Sequence, residues 1–146
     1  MEIETFDNGM RAVFPATLEN IDSLDDLVTE RIEQAGWPVD LFAVRILLRE
    51  SVLNAVTHGS GCDPCKTVCF ELRFDGGTLE MIVRDSGVGF DWQSGDFEGD
   101  HALDESGRGL ALMKMYSDNM SYNETGCEVR LEKRSQECPS KHTSKL

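Results

Sequence analysis

Glu50, Asn54 and His58 recur at steps of four in Arg49-Glu50-Ser51-Val52-Leu53-Asn54-Ala55-Val56-Thr57-His58-Gly59, an otherwise largely apolar run. In a helix a step of four advances about 40° around the axis, so the three side chains share one stripe. A solvated polar face is the plain reading of such a stripe. A carboxylate and a carboxamide one turn apart on a mostly buried helix are costly, however, unless they face a polar cavity. A second chemical feature is Arg84-Asp85-Ser86-Gly87-Val88-Gly89-Phe90. Here Asp85 would end a strand, and two glycines one residue apart would let the backbone approach a ligand closely; alone, the pattern also fits an ordinary strand-terminating turn. It is not the dinucleotide fingerprint, since no helix opens at these glycines and no third glycine follows in register. The third feature is Ser106-Gly107-Arg108-Gly109-Leu110. Glycines ahead of a helix expose backbone N–H groups at the positive end of its dipole, and Arg108 adds a fork suited to phosphate. Taken alone this could be a hinge, and without a Lys-Ser/Thr pair it is not a P-loop.

The elements that must position these residues follow from the apolar periodicities. Residues 2–17 hold short apolar pieces that stop at Pro15 and read as one or two strands. Ile21, Leu24, Leu27/Val28, Ile32 and Ala35 recur at three-to-four spacing, which predicts a helix over 19–35 with Asn20 or Asp22 available as N-cap and Gly36 closing it. A second helix runs from about Val39 to His58. Val68, Phe70, Leu72 and Phe74 alternate with polar residues, Asp75-Gly76-Gly77 turns the chain, and Leu79, Met81 and Val83 alternate in the return strand: a hairpin. Residues 85–106 contain four Gly and seven acids with no Lys or Arg, and a loop of this length in a compact domain is usually functional. A short helix is expected at Leu110–Met115, after Gly109. Strands near 119–124 and 127–133 then turn at Thr125-Gly126. The order predicts an α+β fold, a two-layer sandwich with helices on one face of a mostly antiparallel, mixed sheet.

The chain has 146 residues, room for one domain with a real core. We expect that domain over 1–134 and a loose tail over 135–146, where no apolar period survives. With 14 Lys+Arg against 27 Asp+Glu the formal charge is −13, which disfavours phosphate backbones and anionic lipid as partners. The opening Met1-Glu2-Ile3-Glu4-Thr5 lacks the basic and apolar regions of a secretory signal. Five cysteines, an odd number, fit reduced thiols in a cytoplasm better than a disulfide framework. Cys62-x-x-Cys65, with His58 and Cys69 nearby, leaves three readings open: zinc, a thiol switch, or inert loop thiols.

In their order and spacing the three features resemble the GHKL superfamily of ATP-binding domains, which includes those of gyrase and the histidine kinases. Glu50-x-x-x-Asn54-x-x-x-His58-Gly59 looks like its N-box, Asp85-x-Gly87-x-Gly89-Phe90 its first glycine box, and Gly107-Arg108-Gly109-Leu110 its second. Within it, the chain is most similar to the small anti-sigma-factor serine/threonine kinases of bacterial sporulation and stress-response switches. The resemblance covers roughly residues 10–133 and implies a Bergerat-type fold binding ATP and Mg²⁺. It implies that Asp85 accepts the adenine amino group, Asn54 ligates Mg²⁺, and Gly87 and Gly89 pass the backbone beside the nucleotide. It further implies that residues 86–106 form a lid, that Gly107, Arg108 and Gly109 sit at the phosphates with Leu110 also among the ATP-binding residues, and that Glu50 is the catalytic carboxylate. His58 closes the N-box as a structural residue. The implied partners are a sigma factor and an anti-sigma-factor antagonist, with no direct nucleic acid and no membrane, in a homodimer. The other reading is a non-catalytic nucleotide-binding module in the same kind of switch.

Overall fold

A computed structural model describes residues 1–86 and 105–136. The first strands, β1 (Glu2–Phe6) and β2 (Gly9–Pro15), form a hairpin, followed by helices α1 (Glu19–Ala35) and α2 (Leu41–Asn54). A short π-helical turn, Ala55–Gly59, extends α2. The hairpin β3 (Thr67–Asp75) and β4 (Thr78–Asp85), helix α3 (Glu105–Tyr116), and strands β5 (Asn119–Tyr122) and β6 (Glu128–Arg134) complete the order. The six strands lie in one sheet in the order β1-β2-β3-β4-β6-β5, and every pairing among them is antiparallel. This is the expected α+β architecture.

Period-2 alternation decides which sheet face is buried. Met10, Ala12 and Phe14 of β2, Val68, Phe70 and Leu72 of β3, Leu79, Met81 and Val83 of β4, and Val129 and Leu131 of β6 all point into the core. Ile21, Leu24, Val28 and Ile32 of α1 and Val44, Leu47, Leu48 and Val52 of α2 cover them. On the other face charges interleave: Arg84 donates to Glu128 at 2.8 Å, Arg130 to Glu80 at 2.7 Å, and Arg73 pairs with Glu71. The sheet therefore has one face on helices and one in water, as antiparallel sheets allow.

Two expectations about helix ends need correction. α1 takes Leu18 as its N-cap with no side-chain cap bond; Asn20 instead donates to Pro15 O and Thr17 Oγ1, both at 2.9 Å. Asn20 thus ties the turn after β2, a local bond that competes with capping. α3 begins at Glu105, well before Leu110. A glycine inside a helix costs only about 0.5–1 kcal/mol relative to alanine, and packing of α3 against α2 outweighs that. The expected C-cap holds: Gly36 is left-handed, with φ 69°.

A buried carboxylate fixes α1 on α2. Asp25 is 1% exposed and accepts from Arg45 Nε at 3.0 Å and Nη2 at 3.1 Å, from Arg49 Nη1 at 2.9 Å, and from Thr29 Oγ1 at 3.5 Å. Arg49 also reaches Asp22 on α1 at 2.9 Å. Asp25→Ala should destabilise the fold by about 1–3 kcal/mol, because charge-assisted hydrogen bonds are lost. The cost falls short of the 3–5 kcal/mol of a fully buried pair, since both guanidiniums are half exposed and can rehydrate. Urea unfolding checks this; an unchanged midpoint would contradict it.

The lid expected over 86–106 falls, apart from Ser86 and the start of α3, outside the described residues, as do Gly87 and Gly89. The tail expected from 135 lies outside them from 137 onward; Ser135 N–H and Gln136 N–H bond to Gly77 O and Pro38 O at 2.7 Å. No helix among the described residues is long and apolar enough to cross a membrane.

Candidate functional site

α2 starts cleanly because Asp40 caps it, accepting from Ala43 N at 3.2 Å. Its buried face carries Ser51 and Asn54 among Leu47, Leu48 and Val52. Immediately after Asn54 the helix widens into the π turn, where Ser60 N–H bonds back to Ala55 O at 2.9 Å. Such turns cost hydrogen-bond geometry and occur often at functional sites. Here the widening carries Gly59 against the end of β4. A Cβ on Gly59 would fall directly on the Asp85 carboxylate, so only glycine leaves that group its place.

Asp85 is the last residue of β4 and is 9% exposed. Its backbone N–H donates to Cys127 O at 2.9 Å, which locks the strand end to β6 whatever the side chain does. Asp85, Asn54, Ser51, Val83, Tyr122 and Cys127 together line a small recess, open to solvent, between α2 and the β4–β6–β5 end of the sheet. Ser51 is spent inside its own helix, donating to Leu47 O at 2.7 Å. Asn54 is not: it is 6% exposed, and its amide is in hydrogen-bonding contact with the Tyr122 phenol. Tyr122 lies at the same recess. Burial pushes its phenol well above the usual range; the adjoining Asn54 amide opposes that shift, and the charge of Asp85 adds to it.

Glu50, one turn before Asn54, stands outside this recess at the contact with α3. A Cβ on Gly109 would meet Glu50 Oε1 at 2.8 Å and both amide atoms of Asn54 at 3.7 Å. Gly109 therefore lets α3 close onto the carboxylate–carboxamide pair. Gly107 and Arg108 fall in the first turn of α3, Gly109 and Leu110 just past it, so the glycine segment is helical and does not precede the helix. Arg108 is exposed and Leu110 buried in the core. His58 is exposed and does not line the recess.

The structure thus brings Asn54 and Asp85 together from elements thirty residues apart, and sets Glu50 against Gly109 beside them. Sequence reasoning missed Ser51, Tyr122 and Cys127 as lining residues. Ser51 was within reach, three residues before Asn54 on the same helix face. Tyr122 and Cys127 gave no signal, since only the pairing of β6 with β4 places them here. Cys62 and Cys65 are exposed and Cys69 half-buried on the outward face of β3; all carry free thiols. Among the described residues no group of three or more His, Cys, Asp or Glu side chains could hold a metal ion.

Gly59→Ala should push Asp85 out of place and weaken any ligand held by that carboxylate by about tenfold or more, as a mispaired buried polar group costs 1–3 kcal/mol. Titration of ATP into the variant checks this. Affinity equal to that of the parent chain would show that the Asp85 position is unimportant.

Residues 14–133 match the histidine kinase-like ATPase domain family. Among curated proteins, the anti-sigma F factor of Clostridium perfringens (strain ATCC 13124) is 26% identical over 136 residues, covering 88% of this chain and 97% of that protein. The anti-sigma F factor of Geobacillus thermodenitrificans is 28% identical over 118 residues, covering 77% of this chain and 81% of its own length. That of Geobacillus stearothermophilus gives the same identity and coverage.

Proposed function

The chain belongs to the histidine kinase-like ATPase domain family, and from that premise we propose that it is an ATP-dependent serine/threonine protein kinase acting as an anti-sigma factor. On this reading it sequesters a sigma factor and phosphorylates a Ser or Thr of an antagonist protein. The names of the similar anti-sigma F factors support the partner assignment. One observation supports the nucleotide site above all others: Asp85 and Asn54 line one recess, with the Asp85 carboxylate seated over Gly59 and the Asn54 amide buried beside it.

Each residue then has a task. The Asp85 carboxylate is an acceptor only, so a base that meets it through its 6-position is selected as adenine, whose 6-amino group donates, over guanine, whose 6-oxo group does not. Val83 and Ala55 supply an apolar wall for the ring. The donor set suits Mg²⁺, since the Asn54 amide offers a neutral oxygen ligand beside the recess and Mg²⁺ prefers few protein ligands plus phosphate oxygens. When bound, the ion neutralises charge on the transferring phosphoryl group. Glu50 lies one turn from Asn54, where it can take or orient the proton of the acceptor hydroxyl. α3 meets Glu50 and Asn54 at Gly109, and on this reading the free N–H groups of its first turn, with Arg108, take the phosphates. The chain is expected to act as a homodimer, which light scattering would test.

The experiment is phosphotransfer. The chain is incubated with Mg²⁺, γ-labelled ATP and a small antagonist protein carrying an acceptor Ser. Label on that residue is expected. A chain that binds ATP yet transfers nothing to antagonists it captures would be a nucleotide-binding switch module without catalysis.

A further inference from the structure

Tyr122 lines the recess beside Asn54 and Asp85, yet the chemistry proposed above gives it no task. It sits on β5, an edge strand of the sheet, opposite Val129 of β6. From there its ring packs against the hydrophobic core and its hydroxyl oxygen is buried. A phenol so placed has an apolar body and a polar tip, and a buried tip normally finds a hydrogen-bonding partner. Here the tip meets the Asn54 side-chain amide. Burial raises the phenol pKa, whereas the contact with Asn54 lowers it, as an N–H group directed at the phenol oxygen does. The amide therefore turns its Nδ2 toward Tyr122.

The side of the amide that faces α3 shows why this matters. A Cβ on Gly109 would lie 3.7 Å from Asn54 Nδ2 and 3.7 Å from Asn54 Oδ1, so α3 meets both ends of the amide alike. The two ends of an asparagine amide are nearly the same shape, and hydrogen-bond partners decide which of them is the oxygen. A hard cation takes the oxygen and gains nothing from the NH₂ group. We propose that Tyr122 is a positioning residue for nucleotide binding: its hydroxyl oxygen accepts from Asn54 Nδ2, which leaves Asn54 Oδ1 turned to Mg²⁺. This rests on the nucleotide-site reading above. Tyr122 acts only through Asn54, and no bond is made or broken at the phenol.

The test removes one atom. Tyr122→Phe keeps the ring that packs on the core and deletes the hydroxyl. The first readout needs no nucleotide: the side-chain NH₂ signal of Asn54 in the nuclear magnetic resonance spectrum of the isotopically labelled chain, identified by its disappearance in Asn54→Ala. Exchange of these protons with solvent should quicken at least about threefold in Tyr122→Phe, within the range that one ordinary hydrogen bond is worth. The second readout is calorimetric affinity for ATP, with Mg²⁺ and with excess EDTA. The gain in affinity that Mg²⁺ brings should shrink by about three- to tenfold in Tyr122→Phe, again the worth of one hydrogen bond, while metal-free ATP binds as it does to the parent chain. In an Asn54→Ala background the same substitution should leave the Mg²⁺ gain unchanged, since no amide remains to be oriented. An Asn54 signal that ignores Tyr122→Phe, a Mg²⁺ gain that survives it, or equal losses with and without metal would overturn the proposal and leave the nucleotide site standing. Failure of the parent chain to bind ATP would instead bring down the nucleotide-site reading, and the metal role of Tyr122 with it.

Discussion

Asp85→Asn should weaken ATP binding by roughly 5- to 150-fold, the 1–3 kcal/mol cost of a mispaired buried polar group, with the fold intact. The two side chains have the same shape, so the seat over Gly59 accepts either. The Asp85 backbone stays bonded to Cys127 O in both. What changes is the chemistry at one atom. A carboxylate only accepts hydrogen bonds, whereas a carboxamide also presents an NH₂ group, which would face the adenine amino group donor to donor. The variant should therefore lose its preference for adenine along with its affinity. Isothermal titration with ATP and GTP, beside a urea unfolding curve, separates this from misfolding. ATP affinity equal to that of the parent chain would remove Asp85 from the site.

Glu50→Gln should reduce phosphotransfer by about 10²–10⁴-fold, the usual contribution of a positioned general base. The lower end is expected, because phosphoryl transfer has a loose transition state in which proton removal is a small part of the barrier. ATP should still bind within a few-fold, since Glu50 stands outside the recess that holds Asn54 and Asp85. Glutamine keeps the shape that packs against Gly109, so α3 should stay in place. Asn54→Ala is the contrasting variant: it removes an amide from inside the recess, and both affinity and transfer should fall. Single-turnover transfer with saturating nucleotide makes the comparison. Full-rate transfer by Glu50→Gln would leave that carboxylate a packing role, and loss of ATP binding would place it at the metal.

The frame of the molecule was legible wherever one face of an element is buried. Val68, Phe70 and Leu72 alternate because β3 has helices on one side and water on the other, and Ile21, Leu24, Val28 and Ile32 are spaced by the single buried stripe of α1. Glu50 and Asn54 were legible for the opposite reason, since a carboxylate and a carboxamide on a mostly buried helix require a polar counterpart, and Asp85 because it ends a strand just ahead of two glycines. Local pattern failed where a contact distant in sequence decides the outcome. Gly107 and Gly109 argue against helix, yet the absence of a side chain at 109 is what lets α3 pack on Glu50 and Asn54. Asn20 has the chemistry of an N-cap but bonds back to Pro15 O instead. Tyr122 and Cys127 enter the recess only through the β4–β6 pairing, which inserts β6 between its sequence neighbour β5 and a strand some forty residues earlier.

The central claim is that the recess beneath Asp85 is an adenine-nucleotide site, and direct calorimetric titration of the reduced chain with Mg·ATP and Mg·GTP tests it. We expect saturable one-to-one binding of ATP, tighter than GTP by at least about tenfold, the least that one reversed hydrogen-bond pair in a desolvated site should cost. Absence of ATP binding, or equal affinity for the two nucleotides, would contradict the assignment of Asp85 and Asn54 to such a site.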